Sequence, residues 1–380
     1  MSEEKLVPKL RFSGFTDEWQ SCRFDELFDF QVAGDMKKEL FNEEFTDEYK
    51  YPLYANALEN DGLLGYYKEY KYNPNSITVT ARGNIGHATA RKNKFNAVGR
   101  LIILTAKEEL NIEFFMEYIN NNVKVYIEST GVPQLTAPSL KINKLHYPTL
   151  KEQNKISDLL IMLNNKIELL EQKHKLYDDF KKYLMQQIFT QKLRFDFDEI
   201  KLKSISKINK GKQLNKEHML EIGKFYVLNG GQEPSGYTDS WNTSENTITI
   251  SEGGNSCGFV NFNTEKFWSG GHCYYLNKLS ENIDVYYLYS YLKFIEPQIM
   301  RLRVGSGLPN IQKGDIENIK IKILPKKEQI KISNLLLSTD NKISSIESQK
   351  DSFEIFKKGL LQQMFVVQLI LSLLQNKKHI

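Results

Sequence analysis

The chain has 380 residues, a net charge of +4 and 41% hydrophobic residues. That is room for roughly two or three domains with real cores, and the mildly basic balance permits a nucleic-acid partner without requiring one. The charged start MSEEKLVPKL lacks the apolar run of a secretory leader, and no stretch reaches the ~18 apolar residues of a membrane-spanning helix, so Cys22, Cys257 and Cys273 are expected as reduced cytosolic thiols.

Residues 1–20 form an arm containing LRFSGFTDEW, whose Leu-Arg-Phe core recurs at Leu193-Arg194-Phe195. Residues 21–147 read as a globular region. KYPLYANAL, SITVTARGNIG and GRLIILTA are apolar, β-branched runs separated by Gly/Asn turns, hence short strands. IEFFMEYINN (112–121) is a short amphipathic helix, and STGVPQLTAPSLKINKLHYP is a loop leading into a strand. Residues 148–190 then carry apolar side chains at Ile156, Leu160, Leu163, Ile167, Leu170, Tyr177, Leu184 and Ile188, in steps of three and four. This is the period of a helix buried along one seam, and ~40 residues make a rod of about 60 Å.

The chain then repeats itself. Residues 191–322 follow the plan of 21–147 with diverged side chains: NTITISEGGNSCG matches NSITVTARGNIGH, EKFWSGGHCYYL matches NKFNAVGRLIIL, and GSGLPNI matches STGVPQL. Residues 323–365 form a second rod with its seam at Ile332, Leu336, Ile343, Ile346, Phe353, Leu360 and Met364. At an offset of 176, the rods share 18 of 38 residues between Glu152–Phe189 and Glu328–Phe365, so the duplication governs the whole fold. The expected fold is α+β: two mixed α/β domains, each followed by one long helix, the helices pairing as an antiparallel coiled coil. Polar residues interrupt both seams at matching places, His174 with Lys350 and Lys181 with Lys357. They read as lying just off the seam, with register control by buried polar groups as the alternative.

Catalytic signatures are missing. The sequence holds no Gly-rich phosphate loop, dinucleotide fingerprint or His-Glu-x-x-His. Tyr72-Asn73-Pro74-Asn75 shares part of an amino-methyltransferase motif but lacks its second Pro and its aromatic, and reads as a turn. Cys257, His272 and Cys273 lack the paired spacing of a zinc site. A chain with no catalytic residues, metal or cofactor of its own is expected.

LRFSGFTDEW, the rod openings PTLKEQNKISDLL and PKKEQIKISNLL, the rod ends FKKYLMQQIF and FKKGLLQQMF, and TGVPQL and SGLPNI before each rod together resemble the DNA-specificity (S) subunit of type I restriction–modification enzymes. The resemblance covers residues 8–365. It implies two target-recognition domains, each reading one half of a bipartite site in duplex DNA. It further implies spacer helices that set the gap and dock two methyltransferase (M) subunits, with motor-nuclease (R) subunits joining the complex. S-adenosylmethionine, ATP and Mg belong to those partners, and the location implied is the bacterial cytosol. The apolar tail 366–380 departs from the pattern and reads as a read-through end, or else as an added helical turn.

Direct readout needs donors and acceptors on loops. The candidate DNA contacts are Arg82, Asn84, Arg91, Lys92, Lys94, Thr130, Gly131 and Gln134 in the first domain. In the second they are Asn229, Gly231, Gln232, Tyr237, Glu252, Asn255, Arg301, Arg303, Ser306 and Asn310. Glu252 is singled out because a carboxylate can accept from cytosine N4. Tyr66, Tyr67, Trp241 and Trp268 read as core residues rather than stacking platforms. The candidate spacer and subunit-docking residues are Ile156, Leu160, Leu163, Ile167, Leu170, Leu184, Ile332, Leu336, Ile343, Ile346 and Leu360. The competing reading is a tandem coiled-coil adaptor for protein or carbohydrate, distinguished by the salt dependence of duplex-DNA binding.

Overall fold

The computed structural model describes residues 4–123, 133–190, 198–305, 307, 309–365 and 367–371. The chain opens with β1 (Glu4–Pro8), β2 (Gln20–Arg23), a single helical turn α1 (Phe24–Leu27) and β3 (Phe28–Val32). Then come β4 (Phe41–Asn42), β5 (Tyr51–Tyr54), β6 (Leu63–Tyr67), β7 (Ser76–Val79), β8 (Ala88–Arg91), β9 (Asn96–Ala97) and β10 (Ile102–Ala106). Helices α2 (Ile112–Asn122) and α3 (Ala137–Lys141), strand β11 (Lys144–Tyr147) and the long α4 (Leu150–Phe189) complete the first half. The second half runs β12 (Asp198–Lys201), β13 (Lys207–Lys210), β14 (Phe225–Leu228), β15 (Gly236–Thr238), β16 (Thr247–Ser251), β17 (Val260–Asn263), β18 (Trp268–Ser269) and β19 (Cys273–Asn277). It closes with α5 (Val285–Phe294), α6 (Glu296–Met300), α7 (Lys313–Glu317), β20 (Lys320–Ile323), the long α8 (Lys326–Met364) and β21 (Val367–Leu371).

The residues gather into two compact units. Unit 1 combines Met1–Leu169 with Lys350–Ile380, and unit 2 is Leu170–Gln349. Each long helix is therefore shared, one part to each unit. The strands of each unit divide between sheets rather than lying in one curved sheet. In unit 1 an antiparallel sheet β3-β10-β7-β8 stands beside a smaller one, β4-β6-β5-β9, with β5 and β9 parallel. Unit 2 repeats both, as β13-β19-β16-β17 and β15-β14-β18, with β14 and β18 parallel.

The period of the rods explains their packing. In unit 1, Ile156 and Leu160 of α4 share a core with Leu361 and Met364 of α8, with Phe115 and Ile119 of α2 and with Leu104 of β10. In unit 2, Met185, Ile188 and Phe189 of α4 meet Ile332 and Leu336 of α8 and Tyr287 and Tyr291 of α5. The two helix segments run antiparallel within each unit, since early residues of one meet late residues of the other.

The repeated EQxKIS opening has a physical reason. Gln153 Oε1 accepts from the backbone N–H of Asn111 at 3.0 Å, while its amide donates to Pro148 O at 2.9 Å. Gln329 does the same toward Asp284 N at 2.8 Å and Leu324 O at 2.7 Å. Ser157 and Ser333 bond the side chains of Asn111 and Asp284, and those two residues cap α2 and α5. The motif thus fastens each rod to the cap of the short helix in front of it. The LRF arm is fastened as well: Arg11 grips the buried Glu152 with two bonds of 2.7 Å. Arg194, its counterpart, lies outside the described residues.

The lysines that interrupt the seams are half-buried and ion-paired rather than merely off-seam. Lys357 meets Glu117 of α2 at 3.2 Å, and Asn164 of α4 donates to the same carboxylate oxygen at 3.2 Å. Lys181, its equivalent, meets Asp340 of α8, which also accepts from Tyr286 OH of α5. Asp340 occupies the position of Asn164, so the carboxylate has moved from the short helix in unit 1 to the long helix in unit 2.

The described part of the apolar tail, Val367–Leu371, is not an added helical turn. Val367–Leu371 is extended and pairs antiparallel with β1, from Glu4↔Leu371 to Pro8↔Val367. VQLIL is a run of strand-forming residues that finds a free edge in the N-terminal arm.

Candidate nucleic-acid interface

The end of β7 builds the first corner. Its hairpin turns through Gly83 (φ 69°) and Gly86 (φ 87°), conformations open to glycine. Gly86 N–H donates to Thr80 O at 2.8 Å, closing the turn. Arg82 and Asn84 are left exposed at its tip. Leu135 N–H donates to Ala81 O at 2.9 Å, drawing in the loop before α3, and Arg82 then donates to Gln134 Oε1 at 3.3 Å. Together with Arg100 and Thr136 they line a cleft of about 410 Å³.

The end of β16 builds the matching corner in unit 2. Ile311 N–H donates to Glu252 O at 2.8 Å, the same bond displaced by one repeat. Gly253 bridges Asn310, and a Cβ on Gly253 would lie 2.0 Å from Asn310 Oδ1. Glycine is the residue this approach allows. Asn255 and Asn310 are exposed, and Arg301 and Arg303 lead exposed into the Val304–Asn310 bridge. Nearby, Gly230 lies against His272 and Asn229 against Gly270, with Gly231 half-buried and Gln232 exposed in the same turn. Tyr237, 39% exposed, belongs to the small sheet.

Several sequence-based expectations are placed differently. Arg91 is buried at 6%: Nε donates to Thr78 Oγ1 at 2.9 Å, an Nη donates to Asp61 O at 2.7 Å, and the guanidinium lies 3.5 Å above the Tyr54 ring. In unit 2 Asn263 fills this place and donates to Thr249, the counterpart of Thr78. Arg91 therefore ties the two sheets of its domain together and presents nothing to a base. Lys92 pairs with Glu113, and Lys94 donates to Tyr70 OH at 3.0 Å. Both follow Arg91, at the end of the β7–β8 hairpin opposite Arg82. Glu252 does not face outward. Its Oε1 accepts from Lys210 at 2.6 Å and Tyr274 OH at 3.0 Å, and its Oε2 meets His272 Nδ1 at 3.3 Å. Burial alone would raise this carboxyl, but the bonds from Lys210 and Tyr274 outweigh it and hold it below the ordinary value. Thr130, Gly131 and Ser306 lie outside the described residues.

Of the aromatic residues, Tyr67 is buried and its hydroxyl accepts from Lys37 N at 2.7 Å, and half-buried Tyr66 packs on Phe45. Trp268 donates to Lys212 O at 2.8 Å, and Trp241 stays 46% exposed beneath Lys266. Cys257 and Cys273 are buried thiols, their Sγ atoms bonded to Glu252 O and Tyr274 O. No cluster of three or more metal-ligating side chains occurs among the described residues.

The spacer candidates lie inside the units. Ile156, Leu160, Leu163, Leu170, Ile332, Leu336 and Ile346 are buried, and Ile167, Leu184, Ile343 and Leu360 half-buried. The apolar surface that α4 and α8 leave open is a different set, including Met162, Leu169, Leu176, Tyr183, Ile355 and Phe356, each more than half exposed. Sequence reasoning also passed over Arg100 and Lys210, and weighed His272 only as a metal ligand. A signal was present: Arg100 and His272 coincide in the match of NKFNAVGRLIIL with EKFWSGGHCYYL, each after a glycine.

Comparison with known proteins agrees with this architecture. A protein from Mycoplasma genitalium named as a type I specificity subunit is 24% identical over 95% of this chain and 97% of its own length. A second from Mycoplasma pneumoniae is 35% identical over 32% of this chain and 33% of its own. The crystal structure of the S subunit of the M. genitalium type I restriction–modification system superposes with a TM-score of 0.75 at 21% identity, covering 95% of this chain and 99% of that one. These matches lend no support to an adaptor. The family model for the type I restriction modification DNA specificity domain matches twice, over residues 16–176 and 195–354. Two corners of one design, on a duplicated fold that this model spans almost end to end, make the chain a member of the type I restriction–modification DNA specificity family.

Proposed function

We propose that each unit reads one half of a bipartite site in duplex DNA, through the corner at the end of β7 in unit 1 and of β16 in unit 2. The observation that carries this reading is the recurrence of one backbone frame, Leu135 to Ala81 and Ile311 to Glu252, beneath different exposed side chains. A common frame with diverged side chains suits two modules reading different sequences. One module contacts too few base pairs to select a site in a genome, and at ~1–3 kcal/mol per pair two joined modules multiply their discrimination. α4 and α8 set the spacing, and their open apolar side chains dock two M subunits, which R subunits join. The chain does no chemistry. S-adenosylmethionine, ATP and Mg act on those partners in the bacterial cytosol.

The test is a genome-wide map of adenine methylation in cells expressing this chain with an M subunit that co-purifies with it, against cells with the M subunit alone. A bipartite motif dependent on this chain is the expected result. Co-purification without any such motif would refute the reading. Deleting one heptad from each rod should change the gap between half-sites and leave the half-sites themselves unaltered.

A further inference from the structure

The quartet Lys210, Glu252, His272 and Tyr274 lies at the corner of unit 2. Glu252 is its buried centre, with a side chain 11% exposed, while Lys210 and His272 are 50% and 62% exposed. Stability alone does not explain it. A pair with so exposed a lysine contributes little, and sinking a carboxylate costs desolvation.

Nor does the fold require it. The strand registers place Val32 at the position of Lys210, Ile102 at that of Tyr274 and Arg100 at that of His272. The shared bond from the following loop places Ala81 at the position of Glu252. Unit 1 closes the same corner with Val, Ile, Arg and Ala. The quartet therefore belongs to what unit 2 does, not to how it folds.

Its geometry suits fixing a direction. A lysine that neutralises a phosphate works as a mobile point charge and needs no anchor. Reading a base edge needs a donor held at one angle. Glu252 takes part in hydrogen bonds through both oxygens, one with Lys210 Nζ and one with His272 Nδ1, so the His272 ring is held through one nitrogen while its side chain stays 62% exposed. Gly230 and Gly253 make the corner tight. A Cβ on Gly230 would lie 2.4 Å from His272 O.

We infer that Lys210 and His272 are base-reading residues of unit 2, and that Glu252 is their positioning residue rather than itself a base contact. This rests on the DNA-reading function proposed above and names side chains that carry its second half-site. The test is a methylation map of genomic DNA from cells expressing the full chain, or its Lys210→Ala, His272→Ala or Glu252→Gln variant, with the M subunit. Each exposed-residue variant should accept about 5- to 100-fold more of the wrong base at one or two positions of a single half-site. Glu252→Gln should relax the same positions, and the half-site read by unit 1 should stay as in the parent. A purely structural role for Glu252 would instead lower methylation evenly. Uniformly weaker methylation of an unaltered motif by Lys210→Ala and His272→Ala would overturn the inference, since it marks backbone contacts. So would a motif and rate identical to the parent's. Failure of the parent chain to direct any motif would instead refute DNA reading as a whole, so the two failures are told apart by the parent. Because Lys210 and His272 are exposed, their variants carry the test even if Glu252→Gln folds poorly.

Discussion

Replacing Lys357 by alanine should cost unit 1 about 2 kcal/mol. The Glu117 side chain is 8% exposed and that of Lys357 22%, with 3.2 Å between the charges. At an effective dielectric near 20 their attraction is about 5 kcal/mol before desolvation, and breaking a fully buried pair costs ~3–5 kcal/mol. Two features lower the figure here. Lys357 keeps some contact with water, and Asn164 and Asn121 still donate to Glu117 once the lysine has gone. About 2 kcal/mol in a unit of roughly 200 residues lowers Tm by about 4–8 °C. The assay is a double-mutant cycle by calorimetry, with Lys357→Ala, Glu117→Gln and the pair. In the Glu117→Gln background the lysine should matter by about 0.5 kcal/mol or less, because no buried charge is then left alone. If Lys357→Ala costs the same in both backgrounds within ~0.5 kcal/mol, the lysine acts through its packed stem and the electrostatic argument is wrong.

Gln329→Ala should destabilise unit 2 by about 2–4 kcal/mol in urea melts, because the fully buried amide bonds Asp284 N, Leu324 O and Asn282 O, which would lose their partner. Acid stability should depend on Glu252. Its folded pKa lies below the ordinary carboxyl value, so its contribution is present above the ordinary carboxyl range and is lost as the pH falls through the depressed folded value. Glu252→Gln should flatten this acid limb of the melting profile, and an unchanged limb would remove Glu252 as its source. Cys273 is 1% exposed and burial pushes its thiol up to about 11, so a thiol reagent at pH near 8 should label it only on unfolding; rapid labelling of the native chain would contradict the burial.

The duplication, the rods and the family were legible in the sequence because they are written in local terms. A seam of period three to four and 18 identities in 38 survive any tertiary arrangement. The strands and turns of both domains follow from β-branched runs and Gly/Asn pairs for the same reason. Which side chains face outward was decided elsewhere. Arg82 and Arg91 lie on one hairpin and look alike in the sequence, yet Arg91 is drawn inside because Tyr54 and Thr78 wait there. The quartet spans Lys210 to Tyr274 and forms only because β13, β16 and β19 lie side by side. The carboxylate that meets Lys357 comes from α2, and the one that meets Lys181 from α8. Residue type and spacing determine which elements form and how often they repeat. The direction of a charge depends on contacts between residues distant in the chain, and those exist only once the sheets and helices have packed.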